Sequence, residues 1–250
     1  MARLLPLGLL CPRLTPPYLA SSLLLSAFSS LGNMGADLSP EEVRAAALEA
    51  MGSPLGELYD ILSNQVTWIH LKWKEHRTLF GTSQWRIDFL NEAAPAFFAG
   101  LQDTLWNDVL LHLCRLTDPV MSAGKRNLTI ECFPSLISDA ALRANVEELL
   151  KIVKVRTVFA RDWRNRRLAH REFPIAITAD LESLTPGSRH DVEEALAAIR
   201  SAINCIEVHY MKSSVLYEHS IEALGGIDAL LKCLEKGVEE KRRRKGLRPF

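Results

Sequence analysis

From position 40 onward the chain repeats apolar residues at intervals of three and four, the signature of amphipathic helices. Ser39-Pro40-Glu41-Glu42 supplies a capping serine, a proline at the first helical position and a glutamate three residues on. A short helix over Pro40–Met51 is therefore predicted. Ser53-Pro54 opens a longer one, with Leu58, Leu62, Val66, Ile69 and Trp73 on its stripe and Phe80-Gly81 at its end. Phe98, Leu101, Leu105, Val109, Leu113 and Leu116 then stripe a helix of about seven turns. Pro95 sits in the first turn of its main part, and Asp118-Pro119 stops it. A loop over Val120–Phe133 follows, with Gly124-Lys125-Arg126-Asn127 and a short extended piece, Leu128–Cys132.

The next helix is predicted from about Ser138 to Pro174, with Leu142, Val146, Leu149 and Val153 on one stripe. Ile152, Val155, Phe159, Trp163, Arg166 and His170 form an adjacent line at the same spacings. Ser188 caps another helix, with Asp191 completing a capping box and Val192, Leu196, Ile199, Ile203, Ile206 and Tyr210 on the stripe. A final helix, about Ser220–Lys236, decays into "EEKRRRKGLRPF", which reads as a frayed, solvated tail. Strand signals are almost absent and nothing repeats at a fixed period. The fold expected is all-α: an up-and-down helical bundle of four to five long helices. Residues 34–52 form its short N-terminal helix, 53–218 the bundle, and 219–250 the C-terminal helix and basic tail.

Ahead of this pattern stands "MARLLPLGLLCPRLTPPYLASSLLLSAFSSLG", with two arginines, no acid and prolines at 6, 12, 16 and 17. Its apolar segment Tyr18–Leu31 falls short of the roughly 20 residues that span a bilayer. The expectation is that residues 1–33 are a non-native extension or disordered leader, that translation begins at or near Met34, and that the protein is cytoplasmic with no membrane association.

The chain has 250 residues, 48% of them hydrophobic, which is enough for a substantial core, and its formal net charge is zero. A generally basic nucleic-acid coat is excluded, so an anionic partner must be caught locally. The five cysteines, Cys11, Cys114, Cys132, Cys205 and Cys233, form no C-x-x-C pair, which fits reduced thiols and no zinc site. Glycine-rich phosphate loops, an H-E-x-x-H helix and a nucleophile elbow are all missing, and neither cofactor nor metal is expected.

What departs from this background is "FARDWRNRRLAHREF". Between Arg161 and Arg171 five arginines stand against one aspartate, with Asn165 and His170 among them. One reading is a cationic helix end favoured by the macrodipole. The other is a site. Arginine offers a planar fork suited to phosphate, histidine exchanges a proton near neutral pH, and asparagine orients a ribose or the histidine. Together these suffice for attack of an RNA 2′-hydroxyl on the adjacent phosphorus, which needs no water nucleophile. Arg164 and His170 lie roughly 600° apart on a straight helix. Either the helix unwinds near Leu168, or a twofold dimer completes the site.

Arg164, the polar Asn165 after it, and His170 resemble the R-x(4–6)-H motif of the HEPN superfamily. "LGELYDILSNQVTWIHLKWKEHRTLFG", "RIDFLNEAAPAFFAGLQDTLWNDVLLHLCRLTDP" and "FARDWRNRRLAH" are similar to its abortive-infection, AbiU-like branch, so that the resemblance covers about Pro54–Glu218. It implies a helical bundle that dimerises with its motifs facing, and metal-independent RNA cleavage in a toxin or antiphage setting. The matching catalytic positions are Arg164, Asn165 and His170. The branch pattern has an aspartate two positions after the histidine, where this chain has Glu172. Arg171-Glu172-Phe173 lacks the tyrosine of members controlled by a nucleotidyltransferase. Expected partners are RNA, with tRNA a candidate, a second copy of the chain, and an antitoxin. Arg161, Arg166 and Arg167 read as backbone-phosphate contacts or solvated charges. Asp103 and Asp108 are placed to support the motif from across the bundle. The remaining histidines read as ordinary surface or core residues, and the tryptophans as core or dimer interface. The alternatives are a non-catalytic RNA- or nucleotide-binding module and a helical interaction protein.

Overall fold

The computed structural model describes residues 39–168, 187–219 and 226–248. Within them the chain is helical almost throughout, an all-α bundle. Helix α1 spans Pro40–Met51 and begins with the predicted capping box: Glu42 N donates to Ser39 Oγ at 3.2 Å, and Ser39 N donates to Glu42 Oε2 at 2.6 Å. Helix α2 spans Leu55–Phe80 and buries Leu62, Val66, Ile69 and Trp73. The α1–α2 corner is tight. A Cβ on Gly56 would stand 2.8 Å from the Ala47 carbonyl oxygen, so only glycine fits there.

The predicted seven-turn helix is two helices, α3 (Gln84–Ala93) and α4 (Pro95–Thr117). Proline disfavours helical geometry at the residue before it, and Ala94 is accordingly extended in ψ, at φ −160° and ψ 79°. After α4, strands β1 (Met121–Ser122) and β2 (Lys125–Arg126) pair in an antiparallel hairpin. Its two turn residues, Ala123 and Gly124, have φ of 48° and 75°, the left-handed pair that a tight hairpin requires. The extended piece expected over Leu128–Cys132 is instead a 3₁₀ turn at Ile130–Cys132. Ile130, Phe133 and Ile137 are all fully or almost fully buried, and spacings of three and four reach one core only in a helical conformation.

Helix α5 spans Ala140–Arg156, with Asp139 accepting from Leu142 N at 2.6 Å. A short α6 (Val158–Trp163) and a π-helical turn (Arg164–Leu168) follow. The single long helix of the sequence reading is therefore broken at Thr157. Its hydroxyl bonds back to the Val153 carbonyl at 2.9 Å, a bond that bends helices. The break shifts the helical phase, so Ile152 and Val155 are exposed while Phe159 is buried. Helix α7 spans Arg189–Met211 from the predicted Ser188–Asp191 capping box, and α8 spans Ile227–Arg244. The basic tail is helical to Arg244, further than predicted. Arg242 pairs with Glu92 at 2.5 Å and Lys241 Nζ donates to the Glu92 carbonyl at 2.9 Å, which docks the end of α8 on α3. No helix of the described residues is long and apolar enough to cross a membrane. Residues 1–38, which include the expected leader, and His170, Arg171, Glu172 and Pro174 lie outside them.

The main core joins α1, α2, α4, α5, α6 and α7, and a smaller one gathers Leu79, Phe89, Leu90, Phe98, Leu231 and Val238 under α8. The α5–α7 seam is the most extensive helix contact among the described residues. Ile203 lies in the main core and is fully buried. Ile203→Ala is expected to cost about 2–5 kcal/mol, lowering Tm by roughly 5–15 °C for a chain of this size. A thermal melt unchanged within about 2 °C would contradict that packing.

Candidate active site

The basic stretch is positioned from below by the end of α4. The last carbonyls of a helix have no partner within it. Here Arg161 reaches across from α6: Nη2 donates to the Thr117 carbonyl and, at 2.9 Å, to Thr117 Oγ1, while Nη1 donates to Thr157 Oγ1 at 2.9 Å. Thr117 is fully buried and passes its own proton to the Leu113 carbonyl at 2.7 Å. The guanidinium of Arg161 thus ties the C-terminus of α4 to the start of α6.

The next residue follows directly on this tie. Asp118 leaves the helix in an extended conformation, φ −65° and ψ 154°, because Pro119 follows. Its carboxylate then lies under Arg164, whose Nη1 donates to Oδ1 at 2.8 Å and to Oδ2 at 2.7 Å. Arg164 Nε donates to Asn165 Oδ1 at 3.1 Å. Both members of the ion pair are about three-quarters buried, so their attraction is screened less than that of a surface pair. Asp103 and Asp108 were expected to support the motif, whose His170 lies outside the described residues. Asp103 is exposed, and Asp108 accepts from Lys72 at 2.5 Å. The acidic partner is Asp118, which the sequence showed only as a helix stop.

Arg164–Leu168 is a π turn, wider than an α turn. Such turns usually carry a functional or packing reason. It starts four residues before Leu168, the place where unwinding was expected, and leads directly into the segment that holds His170. Asn165 and Arg167 are exposed on it, and Arg166 is half-buried, 3.7 Å from Asp162. The Arg167 guanidinium lies over the Trp163 ring at 5.1 Å. Trp163 in turn meets Trp106 edge-on at 6.2 Å, and Trp106 meets Trp73 at 6.2 Å. An aromatic column therefore runs from α2 through α4 to the arginines.

Burial governs the ionisable groups beneath the site. The thiol of Cys114 is pushed up to about 11, mainly by burial, and stays protonated. His112, also on α4, is held down to about 4 by burial, then by the charges of Arg115 and Lys72. It remains a neutral imidazole whose Nε2 is 2.8 Å from Gln65 Oε1.

The all-α bundle holds an anchored arginine with an asparagine beside it, and the sequence carries a histidine five positions after that asparagine, the pattern of the HEPN superfamily. The family model described as AbiU2, HEPN_AbiU2, matches residues 52–224, most of the chain, and the protein belongs to that family. No curated protein and no solved structure matches the chain.

Proposed function

We propose that this chain is a metal-independent endoribonuclease of the abortive-infection type, active in the cytoplasm as a homodimer and held in check by an antitoxin. The observation that carries the reading is the Arg164 guanidinium, anchored by both oxygens of Asp118 on a π turn that also displays Asn165 and Arg167. An arginine fixed before substrate arrives stabilises charge on a phosphoryl group without reorganisation at the moment of reaction. His170 takes the proton of the ribose 2′-hydroxyl as that oxygen bonds to phosphorus. The bond to the 5′-oxygen breaks, and the proton taken up by His170 passes to that leaving oxygen. The products are a 2′,3′-cyclic phosphate and a 5′-hydroxyl. Because the nucleophile is supplied by the RNA, the chemistry requires no metal-bound water. Arg167 and Arg166 contact neighbouring phosphates, and Asn165 holds Arg164 while its amide nitrogen faces the ribose. Arg161 contributes to RNA binding only through the charge left over from its task at Thr117 and Thr157. Ile152, Val155 and Val158, 50%, 70% and 54% exposed on α5 and α6, supply an apolar face for the second copy close to the motif.

The test is incubation of the purified full chain with total RNA and with tRNA in EDTA, beside His170→Ala. Cleavage leaving 2′,3′-cyclic ends, reduced about a hundredfold or more in the variant, is the expected result. RNA that stays intact yet binds wild type and His170→Ala equally, with affinity falling steeply as salt rises, would replace catalysis with a binding module.

A further inference from the structure

Beside the Arg164 anchor the structure holds a half-open cavity of about 250 Å³, between α2, α4 and the segment after the hairpin. Asp118 lines it, so the residue that anchors Arg164 also borders the cavity. Its apolar walls are Leu62, Leu116 and Leu128, two of them buried core residues and the third, Leu128, 47% exposed at the rim. Apolar side chains lining a small pocket can pack against the face of a planar ring.

The polar lining matches the edge of such a ring. Asn127 gives its Nδ2 to the Pro119 carbonyl at 2.7 Å, which fixes the side chain and leaves Oδ1 as the acceptor end. Gln65 has its Oε1 engaged by His112 Nε2 at 2.8 Å, which leaves its amide nitrogen as the donor end. Every nucleobase presents both a donor and an acceptor along its pairing edge, and RNA readers take unstacked bases by these edges. Arg115 adds an exposed cation to the lining, where a phosphate joined to the base's ribose would lie. The cavity is below the usual range for drug-sized ligands, so it takes one base and not a stacked pair.

We infer that this cavity is a base-specificity pocket, which holds one unstacked nucleobase of the RNA next to the phosphate that Arg164 engages. The inference rests on the ribonuclease reading for its setting and makes its own claim about binding. Phosphate contacts position an RNA but carry no sequence information, whereas base contacts specify it. Arg164, Arg166 and Arg167 supply the first kind, and the pocket supplies the second.

The probes are the four nucleoside 3′-monophosphates, titrated into the full chain by calorimetry. Two variants are compared. Leu128→Trp fills the pocket from an exposed position. Gln65→Glu keeps an oxygen for His112 and replaces the donor end with an acceptor. Wild type is expected to bind the four nucleotides with unequal affinity. Leu128→Trp should weaken the preferred one tenfold or more, and Gln65→Glu should change the order of preference. In parallel, the bases flanking the cleavage points in total RNA are sequenced. If RNA is cut and Leu128→Trp alters neither nucleotide binding nor base preference, the pocket inference is overturned and the ribonuclease reading stands. If nucleotide binding responds to both variants but RNA is never cut, the pocket stands and the ribonuclease reading falls. Equal binding of all four nucleotides to wild type and both variants would also overturn the inference.

Discussion

Arg164→Ala is expected to lower RNA cleavage by about a hundredfold to a thousandfold, the usual loss when one preorganised charge-stabilising donor is removed. Asp118→Ala should lose about a hundredfold, although the aspartate is not expected to touch RNA, because an arginine displaced by an ångström no longer meets the phosphoryl oxygens. The two residues act as one device, so the double variant should lose little more than Arg164→Ala alone. The loss should fall on kcat more than on KM, since the phosphate contacts proposed for Arg166 and Arg167 are left in place. Stability should fall by about 1–3 kcal/mol, because either variant leaves the other, largely buried member of the pair without its partner at 27% or 22% exposure. Circular dichroism would confirm that both variants fold. Additive losses in the double variant, or an Asp118→Ala enzyme as fast as wild type, would make the ion pair a structural tie between α4 and the π turn.

Asp118 also shows where sequence reasoning reaches its limit in this protein. The stripes of α2, α4, α5 and α7 were legible because each buries one face, and burial imposes a period of three to four residues. Ser39 and Ser188 gave away their helix starts because a capping box is a local hydrogen-bond problem with a local answer. Residue types were legible too, since five arginines and a histidine in eleven positions stand out of a neutral chain. The contact between Arg164 and Asp118 spans 46 residues and depends on where α4 ends relative to α6. No spacing rule encodes that distance. A usable signal was present, however. Asp118 precedes Pro119, so it cannot continue the helix, and a carboxylate at such a break is free to turn toward a neighbouring cation. The break at Thr157 was missed for a related reason. Val155 and Phe159 keep the helical interval on paper, but the helix breaks between them at Thr157, and one is exposed while the other is buried. Arg161 illustrates the converse. Its charge suggested phosphate, yet its hydrogen bonds go to a helix end that the sequence could not place beside it.

Folding should weaken markedly between pH 7 and pH 5, because buried histidines must stay neutral. His70 and His112 are 6% and 2% exposed, and burial holds both down to about 4. Around His70 the charges of Arg200 and Glu218 act in opposite directions. Around His112, Arg115 and Lys72 push the same way as burial while Asp108 opposes them. In the unfolded chain a histidine titrates near 6.5. Below that value the unfolded state binds more protons than the folded one. The stabilisation is therefore complete above about pH 6.5 and is lost as pH falls toward 4. Each histidine forfeits about 2 kcal/mol by pH 5, a large fraction of a typical total of 5–15 kcal/mol. The lowered carboxylates Glu42 and Asp191 do not compete in this window, since their losses begin only near their own ordinary range. Denaturant midpoints at pH 7.5 and pH 5 measure the effect. His112→Gln, which keeps a polar group for Gln65 but cannot take a proton, should remove part of the difference, the rest belonging to His70 and to His76, which burial and then the Arg189 charge also hold down. Equal midpoints at the two pH values would show that neither histidine is a proton-sensitive element of the core. The same titration bears on catalysis. His112 is one helical turn and a half ahead of Asp118, so loosening α4 also releases the Arg164 anchor. Any fall in cleavage that comes from loss of the anchor should therefore be delayed to lower pH by His112→Gln.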